Sequence, residues 1–144
     1  MKTITVIILG IILSLFVIGY LSVNSPSESM GNMGDMKLPS YAYTNPTTLS
    51  GYKYATLHPE MLEKIPCYCG CGGHSGHVSL RDCFVNPDGT YDEHASFCDT
   101  CVGENIKTQN YLMQGKTIKE ARTLIDNEYG VRYPGMGTKT PPVV

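Results

Sequence analysis

The chain has 144 residues, 42% hydrophobic and 17% charged, which fits a single globular core and excludes two large domains or a disordered chain. Eleven basic and 13 acidic residues give a formal charge of −2, so no positive field is available to gather nucleic acid. Six cysteines, four histidines and seven methionines, with no tryptophan to anchor a large core, are a rich stock of soft and borderline metal ligands.

From Ile4 to Val23 no side chain is charged, a run long enough as a helix to cross ~30 Å of hydrocarbon. Lys2 on its short side favours a cytoplasmic N-terminus, which puts everything after Asn24 outside the cytoplasm. The exit Leu21-Ser22-Val23-Asn24-Ser25-Pro26 lacks an A-x-A-like cleavage pattern and carries a proline, so residues 1–23 read as an uncleaved signal anchor in the membrane. The first cysteine, Cys67, is too far downstream to be a lipid-bearing anchor.

Residues 24–50, rich in Ser, Pro, Gly, Asn and Thr, read as a flexible tether. Within it Met30, Met33 and Met36 form M-x-x-M-x-x-M, a spacing at which thioethers converge on Cu(I) if the segment wraps around it. The alternating Tyr41, Tyr43, Tyr52 and Tyr54 suggest an edge strand or a surface packed on the domain. The domain itself is expected over 51–133, near the lower size limit for unaided folding, where disulfides or a metal supply the missing stability. The Pro-, Gly- and Thr-rich stretch 134–144 reads as a frayed tail.

The expected fold class is mainly α, with three short helices around a loop-rich metal or disulfide centre, behind one transmembrane helix. The first spans His58 to Ile65, with Pro59 at its first position and Pro66 at its end. The second starts near Ser96 or Asp99, carries Cys98 and Cys101, and stops at Gly115. The third opens on the capping box Thr117-Ile118-Lys119-Glu120, buries Ala121, Leu124 and Ile125, and ends near Gly130. Between the first two, Val78-Ser79-Leu80 and Cys83-Phe84-Val85 form at most short strands, and Asn86-Pro87-Asp88-Gly89 forms a turn. Asp88, Asp92 and Glu93 lack the spacing of a calcium-binding EF-hand loop.

Cys67, Cys69 and Cys71 recur at every second residue, so an extended backbone would turn all three sulfurs to one side. His74, His77, Cys83, His94, Cys98 and Cys101 follow by the end of the second helix's first turn. Thiolates and imidazoles suit Cu(I) or Zn²⁺, whereas calcium and magnesium ask for oxygen. The candidate metal ligands are Cys67, Cys69, Cys71, His77, Cys83, His94, Cys98 and Cys101, with His74, Met30, Met33 and Met36 as secondary candidates; His58 reads as a helix cap. Two other readings stand beside this one. An even number of cysteines in an oxidising compartment can form three disulfides, in any of fifteen connectivities. Cys98-Asp99-Thr100-Cys101 also has the spacing of thiol-disulfide exchange proteins, which needs a thiol of depressed pKa at a helix start. The βαβ context of thioredoxin is missing, and Val102 stands where c-type haem attachment requires histidine.

The string Pro66-Cys67-Tyr68-Cys69-Gly70-Cys71 resembles the signature of the PCYCGC-motif proteins, a family of small exported proteins. The resemblance runs from about Tyr54 to Tyr129, through His58-Pro59-Glu60, His77, Arg81-Asp82-Cys83-Phe84, Tyr91-Asp92-Glu93-His94, Cys98 and Cys101, Gly115-Lys116 and Ile125-Asp126. Many relatives resemble lipoproteins with an acylated N-terminal cysteine, whereas this chain carries a hydrophobic helix there. The resemblance implies metal handling, of copper especially. The expectation is therefore a membrane-tethered, extracytoplasmic soft-metal protein: a copper chaperone, buffer or delivery protein, with zinc as the alternative ion, a metal donor or acceptor protein as partner, and no catalytic residue. A disulfide-exchange protein and a disulfide-stapled interaction module are the competing classes.

Overall fold

The computed structural model describes residues 36–143; the expected anchor, Met30 and Met33 lie outside them. Among the described residues the chain forms five α-helices and three 3₁₀ turns and no strand, and no helix is long and apolar enough to cross a membrane.

A 3₁₀ turn at Ser40–Tyr43 leads into α1 (Pro46–Leu57). Asn45 caps α1 by accepting the Thr48 N–H at 2.9 Å, and Pro46, which has no N–H to satisfy, takes the first helical position. The stretch read as tether is therefore helical from Pro46, and the tyrosines form no edge strand. Tyr41 and Tyr43 lie in the 3₁₀ turn and Tyr52 and Tyr54 on α1. Tyr52 is wholly buried, edge-on to Phe84 at 5.2 Å, and its hydroxyl donates to the Asp92 carbonyl at 2.6 Å. The expected helix from His58 is the single turn α2 (Pro59–Leu62). His58 makes no capping side-chain bond, and its ring lies 4.7 Å from that of Tyr54.

The cysteine motif then runs into a second single turn, α3 (Cys71–His74). Cys83 closes a 3₁₀ turn (Arg81–Cys83) rather than starting a strand, and Val78 to Leu80 is irregular. The only pairing there is an isolated antiparallel bridge between Val85 and Tyr91. It closes the turn expected at Asn86, whose N–H donates to the Thr90 carbonyl at 2.8 Å.

A third 3₁₀ turn (His94–Phe97) feeds α4 (Asp99–Met113), with Cys98 at its N-cap and Cys101 in its first turn. Gly115, at φ +80°, ends it in the left-handed conformation that L side chains resist. The expected capping box is present at the start of α5 (Ile118–Arg132), with the Thr117 and Glu120 side chains each satisfying the other's backbone N–H.

Helix α4 is the central element, packed on one side by α1 and on another by α5. Gly51 lets α1 approach: a Cβ there would stand 2.8 Å from Phe84, and the Gly51 carbonyl accepts from the Asn105 side chain at 3.1 Å. Tyr52, Leu62, Ile65, Leu80, Phe84 and Ile125 fill the core together with four thiols, those of Cys67, Cys71, Cys83 and Cys101.

The tail is bound to the domain. Thr138 and Thr140 are buried, the Thr138 N–H donates to the Cys67 carbonyl at 3.0 Å, and Arg122 holds the carbonyls of Thr140 and Pro141. Hydroxyl and backbone pairing replaces apolar burial in this segment, which is why its composition reads as frayed.

Candidate metal centre

Three segments, the motif, the turn at Cys83 and the start of α4, deliver sulfur to one place. Cys67 follows Pro66, and both its backbone groups pair with Thr138: the N–H donates to Thr138 Oγ1 and the carbonyl accepts the Thr138 N–H, each at 3.0 Å. Tyr68 fixes the next residue, its N–H donating to Glu104 Oε1 at 2.9 Å and its hydroxyl to Asp126 at 2.8 Å. Gly70, at φ +87°, then turns the chain sharply into α3. The three thiols of the motif thus reach the centre from a bent segment, where the spacing alone suggested an extended one.

The sulfurs lie in mutual contact. Cys67 Sγ is 3.4 Å from both Cys69 Sγ and Cys101 Sγ, Cys101 is 3.5 Å from Cys69 and 3.2 Å from Cys98, and Cys71 is 3.6 Å from Cys83. All six cysteines are free thiols. His94 Nε2 lies 3.4 Å from Cys69 Sγ. Three overlapping sets have all their donor atoms within 4.8 Å of one another: Cys67, Cys69, Cys83 and Cys101; Cys69, His94, Cys98 and Cys101; and Cys69, Cys71, Cys83 and His94. Each set could hold a metal ion.

Of the sequence candidates, the six cysteines and His94 come together. His77 stands one step back, buried, with Nδ1 at 3.5 Å from Cys83 Sγ and Nε2 at 3.7 Å from Asp92 Oδ2. Asp92 also accepts the His94 backbone N–H at 2.8 Å, so one carboxylate lies against both histidine positions. His74 is exposed and bonds its neighbour Ser75 at 2.8 Å, outside every donor set. Met36 packs against the core and is in none of the sets.

Protonation singles out Cys69. Cys101 and Cys67 both donate to it, and those hydrogen bonds hold its pKa far below the ordinary thiol value. Cys67, Cys71 and Cys83 are pushed well above that value, first by neighbouring sulfurs and then by burial. At Cys98 the neighbouring Cys101 sulfur lowers the pKa, but Cys69 and burial outweigh it and raise the thiol to about 11. The N-terminus of α4, with Cys98 and Cys101 in its opening turn, adds a partial positive charge that favours metal-bound thiolates.

Two supporting residues escape the sequence reading. Glu104 is wholly buried one turn beyond Cys101; burial raises its pKa to about 8, and its Oε2 has no partner. The signal for it is the spacing Cys98, Cys101, Glu104, which keeps to one helical face. Thr138, the anchor of Cys67, has no such local signal.

The centre is closed on one side and open on the other. Cys67, Cys71, Cys83 and Cys101 are buried, whereas Cys69, His94 and Cys98 are half-buried. Phe97, 70% exposed, lies with its ring 5.7 Å from that of His94.

Fold and site together define a small helical protein built around a buried thiol cluster able to hold a metal. The chain matches, over residues 30–142, the family described as protein of unknown function with PCYCGC motif, and it belongs to that family. No curated protein and no solved structure matches it.

Proposed function

We propose that this protein binds Cu(I) and passes it on, acting outside the cytoplasm while tethered by the apolar segment 4–23. The observation that carries the reading is the convergence of seven soft donors, six sulfurs and one imidazole nitrogen, from four separated segments. A donor set without oxygen selects soft ions over calcium, magnesium or manganese. The half-buried face at Cys69, His94 and Cys98 supports exchange, because ligands of a donor or acceptor protein can reach an ion from that side. Met30 and Met33, just ahead of the domain in the sequence, would supply thioethers for an incoming ion.

Zinc is the second reading, favoured by the four donors in each set, the number that closes a tetrahedral structural site. The test is metal analysis with thiol counting on one sample of the full-length chain, exported so that its native redox state survives. Copper that is lost in Cys67→Ser and Cys69→Ser, with six thiols released on non-reducing denaturation with a chelator, is the expected result. Zinc in its place selects the second reading. A metal-free protein with paired cysteines, unable to take up Cu(I) before reduction, refutes both and leaves a disulfide-stapled module.

A further inference from the structure

A single tetrahedral ion with metal–sulfur bonds of ~2.3 Å sets its ligand sulfurs about 3.8 Å apart. The sulfurs here stand 3.2 to 3.6 Å apart in two groups, Cys67, Cys69, Cys98 and Cys101 in one and Cys71 and Cys83 in the other. The overlapping donor sets link the two groups, since Cys83 shares one set with Cys67 and Cys101 and another with Cys71.

One four-coordinate ion cannot use all seven donors. If it takes Cys67, Cys69, Cys83 and Cys101, then Cys71, His94 and Cys98 are left over; if it takes either of the other sets, three donors are again unused. The leftover groups are not remote: each lies within 4.8 Å of the shared Cys69 sulfur. Cys69 belongs to all three sets, and Cys83, Cys101 and His94 to two each. A thiolate keeps further lone pairs after binding one ion, so a sulfur common to adjoining sets can join two or more ions. Charge points the same way. A thiol that binds an ion gives up its proton, and each further cation offsets the negative charge of the thiolates it binds in a mostly buried site.

We infer that the centre is polynuclear, holding two or three soft-metal ions joined through the Cys69 sulfur. This rests on the metal-binding reading above. Cys67, Cys71 and Cys98, each in one set, serve as terminal ligands.

The test is native mass spectrometry of the reduced, chelator-treated full-length chain, titrated anaerobically with Cu(I) and, separately, with Zn²⁺. Two or three ions per chain at saturation with either metal is expected. Cys69→Ser should then hold at most one ion, while Cys71→Ser and Cys98→Ser lose no more than one each. Saturation of the wild type at one ion with both metals overturns the inference and leaves the metal-binding reading standing. A Cys69→Ser chain that keeps wild-type helical circular dichroism and the wild-type ion count overturns the bridging role. No uptake of either metal refutes the metal-binding reading itself. Should Cys69→Ser fail to fold, the wild-type count alone decides whether more than one ion is held.

Discussion

Thr138→Val tests whether the C-terminal tail positions the first cysteine of the motif. Thr140 donates its only hydroxyl proton to the Val78 carbonyl at 2.7 Å, so in the 2.9 Å contact between the two threonines Thr138 must be the donor. Thr138 Oγ1 in turn accepts the Cys67 N–H. The result is a directed chain from Cys67 through Thr138 and Thr140 to Val78, most of it out of water. Valine keeps the shape and removes the middle link. A buried N–H at Cys67 left without an acceptor costs ~1–3 kcal/mol, and the lost Thr138–Thr140 bond about 1 more, for ~2–4 kcal/mol in all. In a domain of this size that lowers Tm by roughly 8–20 °C. Urea and thermal denaturation of Thr138→Val beside Thr138→Ser give the measurement; serine restores the hydroxyl and should lose only ~1 kcal/mol for the missing methyl. A valine variant within 0.5 kcal/mol of wild type would refute the hydrogen-bond chain as a structural support.

Glu104→Gln should change the pH profile of the reduced, metal-free protein. With the folded pKa raised to about 8 from an ordinary 4.5, this group's stabilisation is complete below pH 4.5 and is lost as pH rises through 8. The variant should therefore be the more stable at pH 8.5, by on the order of 3–5 kcal/mol at most, and equal slopes of urea midpoint against pH in the two proteins would count against it. Gly70→Ala forces an L residue to φ +87° and sets its Cβ 2.4 Å from the Met136 methyl. It should cost ~1–2 kcal/mol and weaken metal affinity in a chelator competition, and unchanged affinity would deny the turn a role in aiming Cys69 and Cys71. Thr117→Ala removes the capping box of α5 at ~1 kcal/mol and should leave the metal stoichiometry untouched, which distinguishes general destabilisation from damage to the centre.

What could be read from the sequence was what is written locally. Pro59, the Thr117 capping box and the Gly115 stop each act through neighbouring backbone groups, and the helices around them are where those signals put them. Helix α1 went unread, its first residues being taken for tether. Its buried face is Thr48, Gly51, Tyr52 and Ala55, and a face that includes threonine and glycine gives no apolar stripe to recognise. The thiols were evident as a group, but the choice among the histidines was not. His94 reaches Cys69 whereas His77 stops at Cys83, a distinction of tertiary packing. Thr138 joins Cys67 across 71 residues, beyond any local pattern.

Four cysteine side chains occupy interior volume that leucine or valine fills in most domains of this size. An aliphatic interior is permanent once the chain has folded. A sulfur interior answers to its surroundings, because a chelator, an oxidant or a shortage of metal changes the groups that hold helix α4 to the motif. Under the metal-binding reading, ion binding would stabilise the folded chain by mass action, so a loaded copy would resist opening more than an empty one.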